Sequence, residues 1–405
     1  MGEDTKMATR KIGEIDGRHL AVVLPHIELE VSHTSGNYVI DVHGKRYLDF
    51  VMGWCVGNVG WNNEMLVKRL RDFSGPYYVS PDYKYAPWER LAKLLVDISP
   101  RNISVAFRAT GGSEAIETAL RAAMLYTGRT EFISIEGSYH GHTLGAMSIG
   151  SSEFRERFST LMPGCHKLQL PLDDRCLVDA EQKLALGSIA AVVMEPVLCN
   201  LGGIIPTQEF MRGLHRLCKA HGTLLVVDEV ATGFGRTGRL FAHEHYDIEP
   251  DIICLGKAIT SGYAGMGATL VTEQIARAMD FEFSFYSTYG WHPVATEAAV
   301  ANIEFIRDRW PELQSHVTSM GSYFESRLKE IGSGHIIDYR IIGLAIGLRF
   351  AAAGAATRLA SLCRERGLLI HAMSHDTIQI FPALTITTDV ADEGLSILAG
   401  AIRLL

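Results

Sequence analysis

Two side chains with complementary chemistry close two apolar runs. The run Asp251-Ile252-Ile253-Cys254-Leu255-Gly256 ends in Lys257, and about thirty residues earlier Leu224-Leu225-Val226-Val227 ends in Asp228-Glu229. In an open α/β sheet, ligands bind beyond the strand ends. A primary amine on one such end and a carboxylate on another are the two groups needed to hold pyridoxal phosphate, the amine as a Schiff base and the carboxylate on the pyridinium nitrogen. Burial lowers the proton affinity of such a lysine, and a carboxylate beside a ring nitrogen favours the charged ring. A lone lysine reads more simply as a surface charge. Here the segment 258–267 follows it, with Gly262, Gly265 and Gly267 leaving room for a flat ring.

Other residues offer weaker signals. Thr110-Gly111-Gly112-Ser113-Glu114-Ala115 stands between a strand and a helix, where bare amides and glycines make an anion site. Ser113 and Glu114 equally suit a plain first turn. Tyr139-His140-Gly141 follows an apolar run and sets an aromatic ring where it could cover a flat cofactor, although a tyrosine in such a loop is common. Gly233-Phe234-Gly235-Arg236-Thr237-Gly238 matches the dinucleotide fingerprint. However, Asp228-Glu229 and three more residues precede its first glycine, and the next strand ends in Gly256-Lys257 where a ribose-binding acid is expected. The pairs His140 and His142, His243 and His245, and His371 and His375 have no third ligand at a recognisable spacing, so no metal is expected.

The elements that must position these residues follow from the hydropathy pattern. Strands are expected at 104–107, 131–135, 190–195, 223–228, 251–255 and 268–271, with helices at 114–126, 208–221 and 272–279. That alternation implies a mostly parallel sheet. Residues 36–50 read as a β-hairpin around a His-Gly turn, after a charged lead-in over residues 1 to about 17. From Ala295 to about Ile331 the chain is helical, and it closes with an αβ segment holding 344–350, 358–367 and 377–381. The domain reading is 1–60 and 295–405 as a small domain around a large cofactor-binding domain at 61–294. A chain of 405 residues with 47% hydrophobic and 21% charged residues can bury such a core, and a net charge of −8 argues against nucleic acid and anionic membrane as partners. The seven cysteines form no CxxC pair, and neither a signal peptide nor a spanning apolar run is evident, so a cytoplasmic protein with reduced thiols is expected.

In order, Gly112-Ser113, Tyr139-His140-Gly141, Glu195-Pro196, Asp228-Glu229-Val230, Gly233-Phe234-Gly235-Arg236-Thr237-Gly238, Lys257 and Ser287-Thr288-Tyr289-Gly290 resemble the class III aminotransferases of fold type I. The likeness runs from about Gly36 to the C-terminus. It implies an α/β enzyme with pyridoxal 5'-phosphate on Lys257, Asp228 on the ring nitrogen, Tyr139 stacked on the ring beside His140, and Gly112 and Ser113 on the phosphate. It further implies a homodimer in which Thr288 reaches the phosphate of the neighbouring subunit. The substrates implied are an amine or amino acid and a 2-oxo acid or aldehyde.

Departures from the family bear on substrate. Many members carry Gln where this chain has Ala231. Members acting on ornithine, acetylornithine or 4-aminobutyrate hold a carboxylate with an Arg near the C-terminus, partnered by an acid after Glu-Pro. Here those positions read Gln379 and Asn200. Losing both charges leaves a neutral site, whereas losing one would strand a buried charge. Glu195, Trp54, Tyr83 and Lys84 are the other candidates for the substrate side. The segment Leu198-Cys199-Asn200-Leu201-Gly202 is similar to that of glutamate-1-semialdehyde aminomutase, so an isomerase of the same family, aminomutase or amino acid racemase, is the alternative. A cofactor-free scaffold is a third reading, which an intact Lys257 and Asp228 disfavour.

Overall fold

The computed structural model of the chain describes residues 29–279, 285–332 and 334–405. The charged lead-in expected at residues 1 to about 17 lies outside them.

Seven strands form the large sheet in the order Ile103–Ala109, Gly267–Thr272, Ile252–Leu255, Leu224–Asp228, Ile189–Met194, Glu131–Ile135 and Cys165–Leu168. Gly267–Thr272 runs antiparallel to both its neighbours, and every other pair is parallel. Four central strands, Gly267–Thr272, Ile252–Leu255, Leu224–Asp228 and Ile189–Met194, are buried along their whole length. Their unbroken apolar runs are what a sheet covered on both faces requires. Val226, Ile252 and Cys254 pack on one side with Ile116 and Leu120 of the helix Gly112–Thr127. Leu225, Val227, Ile253 and Leu255 pack on the other with Phe210 and Leu214 of Gln208–Ala220.

Six of these strands match the expected ones, with ends shifted by a residue or two. The seventh, Cys165–Leu168, was not expected. It sits at the sheet edge and buries only Leu168 fully, so it carries almost no hydropathy signal. The helical stretch after Pro293 is two helices, Pro293–Asp308 and Trp310–Ile331. The chain turns at Arg309, and Pro311 starts the second helix, where a missing amide donor does no harm.

Two smaller four-stranded sheets flank this core. The expected hairpin is present as Tyr38–Asp41 and Arg46–Asp49, its turn tied by the Asp41 carboxylate, which accepts the amides of His43 at 2.9 Å and Lys45 at 2.8 Å. Val31–Ser35 adds an outer strand, and Leu368–Leu369 pairs in parallel with Arg46–Asp49, which joins the two ends of the chain. The second small sheet is antiparallel, in the order Ile336–Ile342, Ala345–Phe350, Thr377–Ile380 and His371–Ala372. Among the described residues no helix is long and apolar enough to cross a membrane.

Candidate active site

Asp228 is the last residue of Leu224–Asp228, and Lys257 follows Ile252–Leu255 by one glycine. The strands are parallel neighbours, with Asp228 opposite Cys254, so the carboxylate and the amine emerge at the same edge of the sheet. Lys257 opens a short 3-10 turn with φ at 40°, in the left-handed region that non-glycine residues occupy only under constraint. The Asp228 carboxylate is oriented at both oxygens: Oδ1 accepts the Val230 amide at 3.0 Å, and Oδ2 accepts His140 Nδ1 at 2.8 Å. His140 and Asp228 are buried, and the far nitrogen of the imidazole, Nε2, has no partner. Glu229 points to the opposite side. It accepts the His243 amide at 2.8 Å, His243 Nδ1 at 2.9 Å and the Thr232 hydroxyl at 2.5 Å. Alternation along the chain therefore gives the site edge one of two adjacent acids.

Tyr139 is half-buried beside them. Burial pushes its hydroxyl up, and the charges of Lys257 and Asp228 act on it in opposite senses. Its ring lies edge-on to His142 at 5.2 Å. Gly112 and Ser113 begin the sixteen-residue helix Gly112–Thr127, whose first amides have no partner within the helix. Ser113 Oγ accepts the His142 amide at 3.2 Å, and a Cβ on Gly141, which has φ at 135°, would stand 2.4 Å from that hydroxyl. Glycine at 141 is what lets the Tyr139 loop close on the helix start.

Glu195, just past Ile189–Met194, is buried. Its Oε2 accepts the Cys199 amide at 3.1 Å, and its Oε1 has no partner. Burial, reinforced by Asp228, holds this carboxyl well above the usual range. Burial alone would also push the Lys257 amine down, but Cys55, Cys199, Asp228 and Glu195 together hold it above its ordinary value. The groups around Lys257 thus oppose the loss of proton affinity that burial alone would cause.

Gln379 and Asn200 do not pair. Gln379, buried in Thr377–Ile380, donates to the Cys199 carbonyl, and Asn200 Nδ2 donates to the Gly137 carbonyl at 3.3 Å. Arg340 also reaches this loop. It donates to Leu201 O at 3.0 Å and Gly202 O at 3.3 Å and pairs with Asp338 at 2.8 Å, so its charge is taken up structurally. Trp54 is 47% exposed, its ring 5.3 Å from that of His371. Tyr83 is 66% exposed, and Lys84 and Thr288 are exposed as well. These three stand on the surface of the single chain, not in the wall that surrounds Lys257.

Arg236 lies within the glycine motif, and its role emerges only in three dimensions. It is fully buried, donates to Leu344 O at 3.1 Å, Pro382 O at 2.5 Å and Asn58 Oδ1 at 2.7 Å, and so joins three remote segments. The glycine motif is therefore an internal clasp and not a phosphate loop. A cation inside an apolar glycine-rich run was the available signal.

The family model described as Aminotransferase class-III matches residues 21–402. The chain is a class III aminotransferase. Acetylornithine aminotransferase of Archaeoglobus fulgidus is 35% identical over 95% of this chain and 98% of its own length. The enzyme of the same name from Methanothermobacter thermautotrophicus is 32% identical over 98% and 99%. An amine transaminase from an uncultivated Pseudomonas species, solved with pyridoxal phosphate bound, is 29% identical, with a TM-score of 0.88 over 96% of this chain and 98% of that one. This class III enzyme is a fold type I, pyridoxal-phosphate-dependent aminotransferase, and these relatives favour the transferase over the isomerase reading. The residues present suit that cofactor. An amine and an oriented carboxylate share one sheet edge, a helix start with open amides stands beside them, and the buried Glu195 Oε1 and His140 Nε2 lack partners.

Proposed function

We propose that this aminotransferase takes its amino group from a primary amine, or an amino acid, that carries no Arg-clamped carboxylate at its far end, and passes it to a 2-oxo acid or aldehyde. The observation that carries this reading is the uncharged Gln379 amide, buried and held by the Cys199 carbonyl, at the position where carboxylate-binding members carry Arg. Arg155, which could otherwise anchor a carboxylate, donates to Leu161 O at 3.3 Å and Met162 O at 2.6 Å. Arg108 lies over the Trp88 ring at 3.9 Å and donates to Pro81 O at 3.2 Å.

In this reading Lys257 Nζ holds pyridoxal phosphate and, once displaced by substrate, carries the proton between the two reacting carbons. The cofactor, when bound, supplies the electron sink for the carbon that loses its proton. Asp228, steered by His140 and Val230, keeps a proton on the pyridine nitrogen. Tyr139 covers the ring, and Gly112 and Ser113 receive the phosphate. Trp54, Glu195, Asn200 and Gln379 border the substrate, with Tyr83 reaching the neighbouring site of a dimer.

The donor reading makes a kinetic prediction. A hydrogen bond to a charged group contributes about 1.5–3 kcal/mol, so 4-aminobutyrate and N-acetylornithine should show kcat/KM roughly 10–100-fold below a simple primary amine. Gln379→Arg alone should not convert specificity, because an unpaired guanidinium loses its hydration. Gln379→Arg with Asn200→Glu should raise activity on carboxylate donors. Steady-state rates with 2-oxoglutarate as acceptor decide the matter, and N-acetylornithine outperforming simple amines in the unmodified enzyme would overturn the reading.

The working unit in this proposal is a cytoplasmic homodimer, with a small domain of residues 1–60 and 295–405 around a large one. Tyr77, Tyr83, Tyr286 and Tyr289 are each more than 60% exposed, and Tyr78 meets Tyr289 edge-on at 6.0 Å. Exposed aromatic clusters of this kind mark protein interfaces, and Thr288 lies within this one. A mixed dimer of Thr288→Ala and Lys257→Ala subunits should then hold one intact site and one doubly damaged site. About half of the wild-type activity per dimer should remain. Impairment of both sites would place Thr288 in its own subunit's site.

A further inference from the structure

His371 ends a row of residues that crosses the second small sheet at one level. Arg340 lies opposite Gly347, Gly347 opposite Gln379, and Gln379 opposite His371 on the edge strand. Residues directly opposite in antiparallel strands share a face. The alternate positions Ile346, Leu348, Ile378 and Ile380 belong to the apolar core behind the sheet. On the row's own face sits the 3-10 turn Cys199–Leu201. Gln379 donates to the Cys199 carbonyl and Arg340 to those of Leu201 and Gly202, while a Cβ on Gly347 would collide with the Gly202 carbonyl. Three of the four positions thus hold the turn that follows Glu195, and His371 extends the row beyond them.

At that end His371 meets the turn Met52–Cys55. This turn is left-handed throughout, with φ of 46° at Met52, 61° at Gly53, 62° at Trp54 and 63° at Cys55. Such a run persists only where its surroundings over-determine it. Asp49 Oδ1 supplies part of that restraint by accepting the amides of Val51 at 2.9 Å and Met52 at 2.8 Å. Cys55 is buried in one apolar cluster with Cys199, Ala231 and Phe381, so the turn is packed against the segments that follow Asp228, Glu195 and Gln379. The constraint turns the Trp54 indole outward, 5.3 Å from the His371 imidazole and tilted by 51° to it. Neither ring has a hydrogen-bond partner among the described residues. His371 is half-buried, and burial lowers its proton affinity, so at neutral pH the ring offers one N–H and one bare nitrogen.

We propose that His371 is a specificity residue that hydrogen-bonds the far end of the amino donor, and that this end carries a hydroxyl, as in an amino alcohol. The inference rests on the donor reading given under Proposed function and names the class of donor within it. A hydroxyl both gives and accepts a hydrogen bond, which matches an imidazole with one N–H and one bare nitrogen beside the Gln379 amide. A carboxylate finds no cation on this wall, since Arg340 is paired with Asp338 and with the turn carbonyls. An ammonium group has three donors and no acceptor, and against an uncharged wall it loses hydration without a counter-charge. The Trp54 face covers the alkyl chain that leads to the hydroxyl.

The experiment uses full-length enzyme carrying its cofactor, in single-turnover reactions with donor alone, followed by cofactor absorbance as donor concentration is varied. The probes are ω-amino alcohols of three to six carbons, each compared with the alkylamine in which a methyl replaces the hydroxyl. At the chain length that spans the site, the alcohol should be preferred about 2–10-fold, the worth of one neutral hydrogen bond. The preference should lie in the apparent Kd, because the contact is made equally before and during reaction. His371→Phe keeps a ring against Trp54 and removes both nitrogens, so the ratio should fall to about one; His371→Gln should restore part of it. Each ratio is taken within one protein, so a partly damaged fold cancels. Alkylamines equal to or better than the alcohols at every length, a preference that survives in His371→Phe, or diamines ahead of the alcohols would each overturn the role of His371 and leave the donor reading standing. 4-Aminobutyrate ahead of both series would overturn the two together.

Discussion

Lys257→Ala should reduce amino transfer by more than about 10²–10⁴-fold, the contribution of one well-placed proton-transfer group, because the proposed covalent anchor for the cofactor is lost with it. The fold should survive. Lys257 lies beyond the end of Ile252–Leu255 and outside the apolar clusters that fill the two faces of the sheet. Alanine carries the same Cβ into a backbone with φ at 40°, so the substitution changes the local strain little. The absorbance of the bound cofactor near the visible edge should shift and no longer respond to borohydride. Thermal unfolding should stay close to wild type, which separates lost chemistry from lost structure. A purified variant within about tenfold of wild-type turnover would remove Lys257 from the proposed role.

The residues proposed to carry the chemistry were legible because the fold puts them where a pattern shows. Buried parallel strands read as apolar runs, and Asp228 and Lys257 interrupt two of them at their ends. What stayed hidden depends on partners remote in sequence. Cys165–Leu168 borrows its strand character from Glu131–Ile135 beside it. The left-handed turn at Met52–Cys55 has one glycine among four residues, so composition gives no cue to it. Gln379 finds its acceptor 180 positions away at Cys199, next to Asn200, the counterpart that the family resemblance implies. Periodicity reports which face of an element is buried; it does not report which polar atoms meet across the core.

The proton affinity of Lys257 illustrates the same limit. Burial is readable from an apolar run and points to a weakened base, yet groups from other segments, Asp228 among them, act on Lys257 in the opposite sense. A similar reasoning applies to Arg236, whose charge is balanced by the carbonyls of Leu344 and Pro382 and by Asn58, with no carboxylate among these partners. Each of those three segments adjoins the candidate site: Asn58 follows the turn Met52–Cys55, Pro382 follows Gln379 and Phe381, and Leu344 leads into the strand paired with Thr377–Ile380. The buried cation thereby fixes the N-terminal and C-terminal walls against the large sheet.

Asp228→Asn should be the second most damaging change, and its effect should be electronic. The amide can still accept the Val230 N–H at 3.0 Å and meet His140, so the side chain stays in place and the protein should remain folded. What disappears is the negative charge. An opposite charge within about 4–6 Å shifts a pKa by roughly 1–3 units, so the protonated fraction of a pyridine nitrogen held there should fall about 10–10³-fold at neutral pH. Rates should fall by the same factor for the half-reaction with amine and for that with keto acid, since both draw on the same electron sink. Cofactor should bind more weakly, because the charge-assisted contact is roughly twice as strong as a neutral one. Glu229 cannot substitute, as its carboxylate is committed to His243 and Thr232 on the other side of the chain. Single-turnover measurement of both half-reactions tests this. Unchanged rates in Asp228→Asn would assign the ring nitrogen to a different acid, and Glu195, the other buried carboxyl beside Lys257, would be the first to replace with Gln.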